Sequence, residues 1–112
     1  MSKKSKSENR RTGSVKTLEE INVILKDHKE ELKKRYKIKE IGVFGSYIRG
    51  EQKKRGSDID ILVEFEELPD IFMLIDLEDH LKKLLGKKVD VVRKEAIRPE
   101  LKESILKETV YV

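Results

Sequence analysis

The chain has 112 residues, enough for one domain around one core. Charged residues make up 43% of it and there is no cysteine, which excludes thiolate metal sites, disulfides and cysteine nucleophiles and suits a reducing cytoplasm. The net charge of +4 is concentrated at one end: residues 1–16 hold six Lys or Arg and one Glu, whereas the rest hold 20 basic and 21 acidic side chains.

That first stretch, MSKKSKSENRRTGSVK, is polar and without periodicity, and reads as a disordered basic tail. Nucleic acid contact is open to this chain only through the tail, and a solubilising extension is the alternative. The tail has charges but no apolar core, so it is not read as a signal peptide. No apolar run approaches the ~20 residues that span a membrane, so no membrane partner is expected. Residues 17–112 are left as a single folded domain.

Thr17 can cap a helix over about 18–35, whose apolar row is Leu18, Ile21, Leu25 and Leu32, with His28 in the same row as a packing residue. IKEIGVF, residues 38–44, reads as a strand. Residues 46–50 make one helical turn that Gly50 ends in the left-handed conformation. Residues 51–57 are a polar loop and 58–65 a second strand. Pro69 and Asp70 open a helix that runs to Leu85 and stops at Gly86. Its Phe72, Met73 and Ile75 widen the Ile71, Leu74, Leu81 and Leu84 face, as surplus core or, alternatively, a partner surface. KKVDVVR, residues 87–93, is a third strand, and Pro99 suits the first turn of a last helix over about 99–108. The order is α-β-α-β-α-β-α, an α/β domain with a small mixed β-sheet and flanking helices.

Chemistry concentrates at IGVFGSYIRGEQKKRGSDIDILVEF. A strand runs into Gly45-Ser46, and a second strand opens with Asp58-Ile59-Asp60. Residues i and i+2 of a strand share a face, so Asp58 and Asp60 stand side by side, roughly 7 Å apart at the backbone. Two like charges so placed raise each other's pKa unless a cation lies between them. A hard cation such as Mg²⁺ takes carboxylate oxygens together with substrate phosphates. The Gly45-Ser46 turn adds free backbone N–H groups for phosphate. Asp90 sits between Val89 and Val91, where a charge is costly unless paired or metal-bound. If the second and third strands are neighbours, Asp90 faces the same cleft as Asp58 and Asp60. Three carboxylates beside a phosphate-binding turn describe a two-metal phosphoryl or nucleotidyl transfer site. Taken singly, Asp90 could pair with Lys87, Lys88 or Arg93, Arg49 could bridge to Glu51 or Asp58, and Ser57 could orient Asp58. His28 and His80 have no partners for a triad or a zinc site.

Gly45-Ser46, Asp58-Ile59-Asp60 and a later strand Asp resemble the signature of the nucleotidyltransferases related to DNA polymerase beta. With KKVDVV and the closing IRPELKESILKETVYV, residues 17–112 look like the minimal nucleotidyltransferases, many of them antitoxins paired with HEPN-domain toxins. The resemblance implies a polymerase beta-like core in which Asp58, Asp60 and Asp90 are catalytic and hold two Mg²⁺ ions. It implies that Gly45, Ser46 and Arg49 bind the nucleotide, and that Asp90 helps deprotonate the acceptor hydroxyl. Tyr47-Ile48 departs from the Phe-Ala of many members and narrows the pocket without touching the proposed ligands.

The expected activity is transfer of AMP from ATP to a hydroxyl, which the antitoxin resemblance implies is a tyrosine of a cytoplasmic HEPN toxin. The competing class is a non-catalytic antitoxin that neutralises its partner by complex formation. Transfer to a small molecule ranks below both, since larger relatives use an added domain to hold such an acceptor.

Overall fold

A computed structural model describes residues 17–51 and 58–112. The basic tail and most of the polar loop, Ser57 included, lie outside the described residues. The helices are α1 (Leu18–Asp27), α2 (Lys29–Tyr36), α3 (Ser46–Arg49), α4 (Ile71–Leu85) and α5 (Pro99–Glu108), with a 3₁₀ turn at Lys94–Ala96. The strands are β1 (Ile38–Phe44), β2 (Ile59–Phe65), β3 (Val89–Arg93) and β4 (Val110–Tyr111).

Local signals account for most boundaries. Thr17 and Glu20 form a reciprocal capping box: the Thr17 hydroxyl accepts from the Glu20 N–H at 3.2 Å, and the Glu20 carboxylate accepts from the Thr17 N–H at 3.1 Å. The Asp70 carboxylate caps α4 by accepting from the Met73 N–H at 2.8 Å, and Gly86 ends that helix in the left-handed region. The single helix expected over 18–35 is instead two, interrupted at His28, whose φ of −105° and ψ of 6° leave the helical region. The buried row of Ile21, Leu25, Leu32 and Tyr36 continues through the break, so the interruption does not lose the apolar face. His28 is only partly buried at the break, and its Nδ1 lies 3.3 Å from Glu31 Oε1.

The sheet is mixed, in the order β3-β2-β1-β4. β1 pairs antiparallel with β2 and with β4, and β2 pairs parallel with β3, α4 serving as the crossover. β4 was not foreseen. It lies close against β1 at Gly42, where a Cβ would come within 2.8 Å of Val110 O, so the bare glycine is what lets the last strand pair.

The two faces of the sheet bury different clusters. Val43, Ile59, Ile61 and Val63 pack under α1, α2 and α4 with Ile21, Leu25, Leu32, Leu77, Leu81 and Leu85. Tyr36 adds a hydrogen bond between its hydroxyl and His80 Nδ1 at 3.0 Å, tying α2 to α4. The alternate residues Phe44 and Leu62 face the other way and pack with Val92, Ile97, Ile105 and Leu106 of the C-terminal segment. The surplus apolar residues at the start of α4 are not core as expected: Ile71, Phe72 and Ile75 are exposed, and so is Leu68. Met73, Leu74 and Leu84 do reach the core.

Candidate active site

Strand alternation decides where the acids stand. Asp60 precedes Leu62 by two and Asp90 precedes Val92 by two, so both belong to the face covered by α5. The parallel register places Asp60 directly beside Asp90 and, across the antiparallel pair, beside Phe44. The adjacency of β2 and β3 on which the grouping of Asp90 depends is therefore present. Asp58 lies just outside β2 and is exposed. A groove of about 350 Å³ brings Phe44, Gly45, Arg49, Asp60, Asp90 and Glu108 onto one lining, with an apolar end made by Val92, Ile97, Leu101 and Ile105.

The electrostatics of the groove centre on Asp60. Burial, then the neighbouring charges of Asp90 and Asp58, push its carboxyl up to about 6, against a smaller opposing pull from Arg49. Acids that repel one another this way are short of positive charge. Among the described residues no ion pair engages Asp60 or Asp90: Lys87 donates to the Tyr47 hydroxyl at 2.8 Å, and Arg93 lies 3.7 Å from Glu95. An all-oxygen donor set suits a hard cation such as Mg²⁺ and not a thiophilic metal. Even so, no group of three acidic or histidine side chains among the described residues is drawn together closely enough to hold an ion as it stands.

Gly45 and its turn are shaped by the same crowding. Gly45 has φ 83° and ψ −147°, a region open essentially to glycine, and a Cβ there would overlap the Asp60 carboxylate. The absent side chain thus lets the turn approach the acid. Ser46 opens α3, and the N–H groups of Ser46 and Tyr47 belong to the first turn, which has no intrahelical partners.

Arg49 shares the groove but is already engaged. Its Nε donates to Glu51 Oε1 at 2.8 Å, the bridge weighed as its structural role, and its Nη1 donates to Glu108 Oε1 at 2.9 Å. Glu108 Oε2 also accepts the Gly45 N–H at 2.9 Å. Sequence reasoning missed Glu108, which ends α5 far along the chain from both partners.

A family model described as the nucleotidyltransferase domain matches residues 25–112. The protein adenylyltransferase MntA of Thermococcus cleftensis is 52% identical over 96 residues, covering 86% of this chain and 96% of that protein. A solved structure assigned as a minimal nucleotidyltransferase superposes with a TM-score of 0.74 at 35% identity, covering 88% of this chain and 98% of the other. A toxin–antitoxin crystal structure with AMP-PNP superposes with a TM-score of 0.63 at 28% identity, covering 76% of this chain and 69% of that one. Match, identity and fold agree: the chain belongs to the nucleotidyltransferase domain family, among the minimal, MntA-like members, and is a nucleotidyltransferase enzyme.

Proposed function

We propose that residues 17–112 catalyse Mg²⁺-dependent transfer of AMP from ATP to a tyrosine hydroxyl of a HEPN-class toxin in the cytoplasm, and that the modification silences the toxin. The observation that carries the proposal is the side-by-side placement of Asp60 and Asp90, unneutralised, in a groove rimmed by the Gly45 turn. The related toxin–antitoxin structure with AMP-PNP supports an adenine nucleotide and a toxin partner.

In this reading Asp58, Asp60 and Asp90 would hold two Mg²⁺ ions, which would supply positive charge to offset the negative charge on the attacking and leaving oxygens. The first-turn N–H groups and hydroxyl of Ser46 grip the phosphates, with Gly45 keeping the turn close to Asp60. Arg49 offsets phosphate charge from the next turn. The tyrosine oxygen forms a bond to the α-phosphorus, its proton passes to Asp90, and the bond to the β-phosphate oxygen breaks to release pyrophosphate.

The test is transfer of AMP from α-labelled ATP to a purified cognate toxin. Label should appear on a toxin tyrosine, require Mg²⁺, and vanish on exchange of that tyrosine for Phe. Label confined to another residue type, or transfer undiminished in excess EDTA, contradicts the reading. Ser46→Ala removes one hydroxyl contact and leaves the backbone donors, so kcat/KM for ATP should fall roughly tenfold.

The exposed Leu68, Ile71, Phe72 and Ile75 favour a second reading, in which the chain neutralises its partner by occupying it. Asp58→Ala together with Asp60→Ala separates the two: neutralisation by binding survives the double substitution, and neutralisation by transfer does not.

A further inference from the structure

One carboxylate stands where the proposed nucleotide site would offer its cationic and N–H donors to phosphate. Glu108 Oε2 accepts from the Gly45 N–H at 2.9 Å and from Arg49 Nη1 at 3.1 Å, while its Oε1 accepts from the same Arg49 nitrogen at 2.9 Å. These are charge-assisted contacts with two groups of the groove, made by a side chain that is 23% exposed. The charge also bears on the acids: Glu108 is among the groups that raise the Asp60 carboxyl. An anion among three like charges is unfavourable unless it is held by donors, and here Arg49 and Gly45 hold it.

The side chain is free to leave without disturbing the core. Glu108 is the last residue of α5, and the packing of that helix on the sheet is made by Ile105 and Leu106. β4 follows at Val110 and pairs through its backbone with β1. Rotation of the Glu108 side chain breaks three hydrogen bonds and no apolar contact of that cluster.

We propose that Glu108 is an internal competitor for the phosphates of the nucleotide: its carboxylate occupies Gly45 and Arg49 in the free protein and must swing away for a triphosphate to take its place. This rests on the nucleotide reading of the groove and adds to it a residue that sets nucleotide affinity. Glu108 thereby keeps Arg49 ordered between turnovers and raises the apparent Kd of any anion that needs Gly45 and Arg49.

The test compares the wild type with Glu108→Gln, isosteric and uncharged, and Glu108→Ala. Binding of Mg²⁺·ATP and of adenosine is measured by calorimetry, and melting of the free protein by circular dichroism. Glu108→Gln should tighten ATP on the order of tenfold, the worth of one charge-assisted contact released from competition. It should leave adenosine, which has no phosphate, unchanged, and it should lower the melting temperature of the free protein. Tighter ATP in a less stable protein is the signature, because a residue that only braces the groove would weaken both. Weaker ATP binding in Glu108→Gln, or equal tightening of ATP and adenosine, overturns the proposal. Should Glu108→Ala fail to fold, the Gln variant decides alone. Failure of ATP to bind the wild type and both variants would instead overturn the nucleotide reading, and this inference with it.

Discussion

Asp60→Asn is expected to lower AMP transfer by several orders of magnitude while making the free protein more stable at neutral pH. The loss follows from charge: the asparagine keeps the shape but removes an anion that the metals need in ground and transition state alike. The gain follows from the position of Asp60, whose carboxyl is pushed up to about 6 by burial and by Asp90 and Asp58. A carboxyl that titrates higher in the folded chain than in the unfolded one binds more protons folded across the intervening window. The stability it contributes is therefore lost as pH rises from about 4 to about 6. Above that window Asp60 is ionised at a cost, and Asn relieves it. Because the side chain is partly open to solvent, the relief should be only about 1 kcal/mol. At about pH 3 and below the acid is mostly protonated in both states and the two proteins should be about equally stable. Urea denaturation at about pH 3 and about pH 7.5, beside the transfer assay, reads all of this. A destabilised Asp60→Asn would make Asp60 a structural residue, and an active one would move the chemistry away from the carboxylates.

What the sequence could and could not reveal divides by the range of the interaction. The strand 38–44, the turn at 46–49, the α4 limits and the α5 limits are written in adjacent residues: Gly50 and Gly86 at positive φ, the Asp70 cap, Pro99 in the first turn. The break at His28 left no mark because the helical apolar row stays in phase across it. β4 is two residues long, too short for an alternating pattern, and its place depends on the bare Gly42 of a distant strand. The apolar arc of α4 is wider than its neighbours cover, and periodicity alone cannot distinguish the covered Leu77 from the exposed Phe72. At the site, Gly45, Ser46, Asp58 and Asp60 were legible as a local motif. Bringing Asp90 beside Asp60 required knowing that β2 and β3 pair, which the structure supplies. Glu108 was out of reach for the same reason in stronger form: its partners Arg49 and Gly45 lie 59 and 63 residues away.

Gly45→Ala should damage both the turn and the transfer reaction. Two costs coincide at Gly45. Its φ of 83° with ψ of −147° is a conformation that side-chain-bearing residues avoid, at about 1–3 kcal/mol. The new Cβ would also overlap Asp60 Oδ2 and come within 2.9 Å of its Cγ, so either the turn or the acid must move. Moving Asp60 separates it from Asp90, and moving the turn carries Ser46 and Arg49 away from the groove. Transfer should therefore fall at least a hundredfold, since a displacement of about 1 Å at a reacting centre costs that much. Gly50→Ala is the matched comparison. Gly50 also has a positive φ, 70°, but a Cβ there meets nothing within 4 Å. It should cost about 1–2 kcal/mol of stability from backbone strain alone and leave transfer within a few-fold of normal. Measuring melting and transfer for both variants isolates the contribution of the approach to Asp60 from that of the glycine conformation. If the two lose transfer equally, the close packing of the turn against the carboxylate is not what the chemistry depends on.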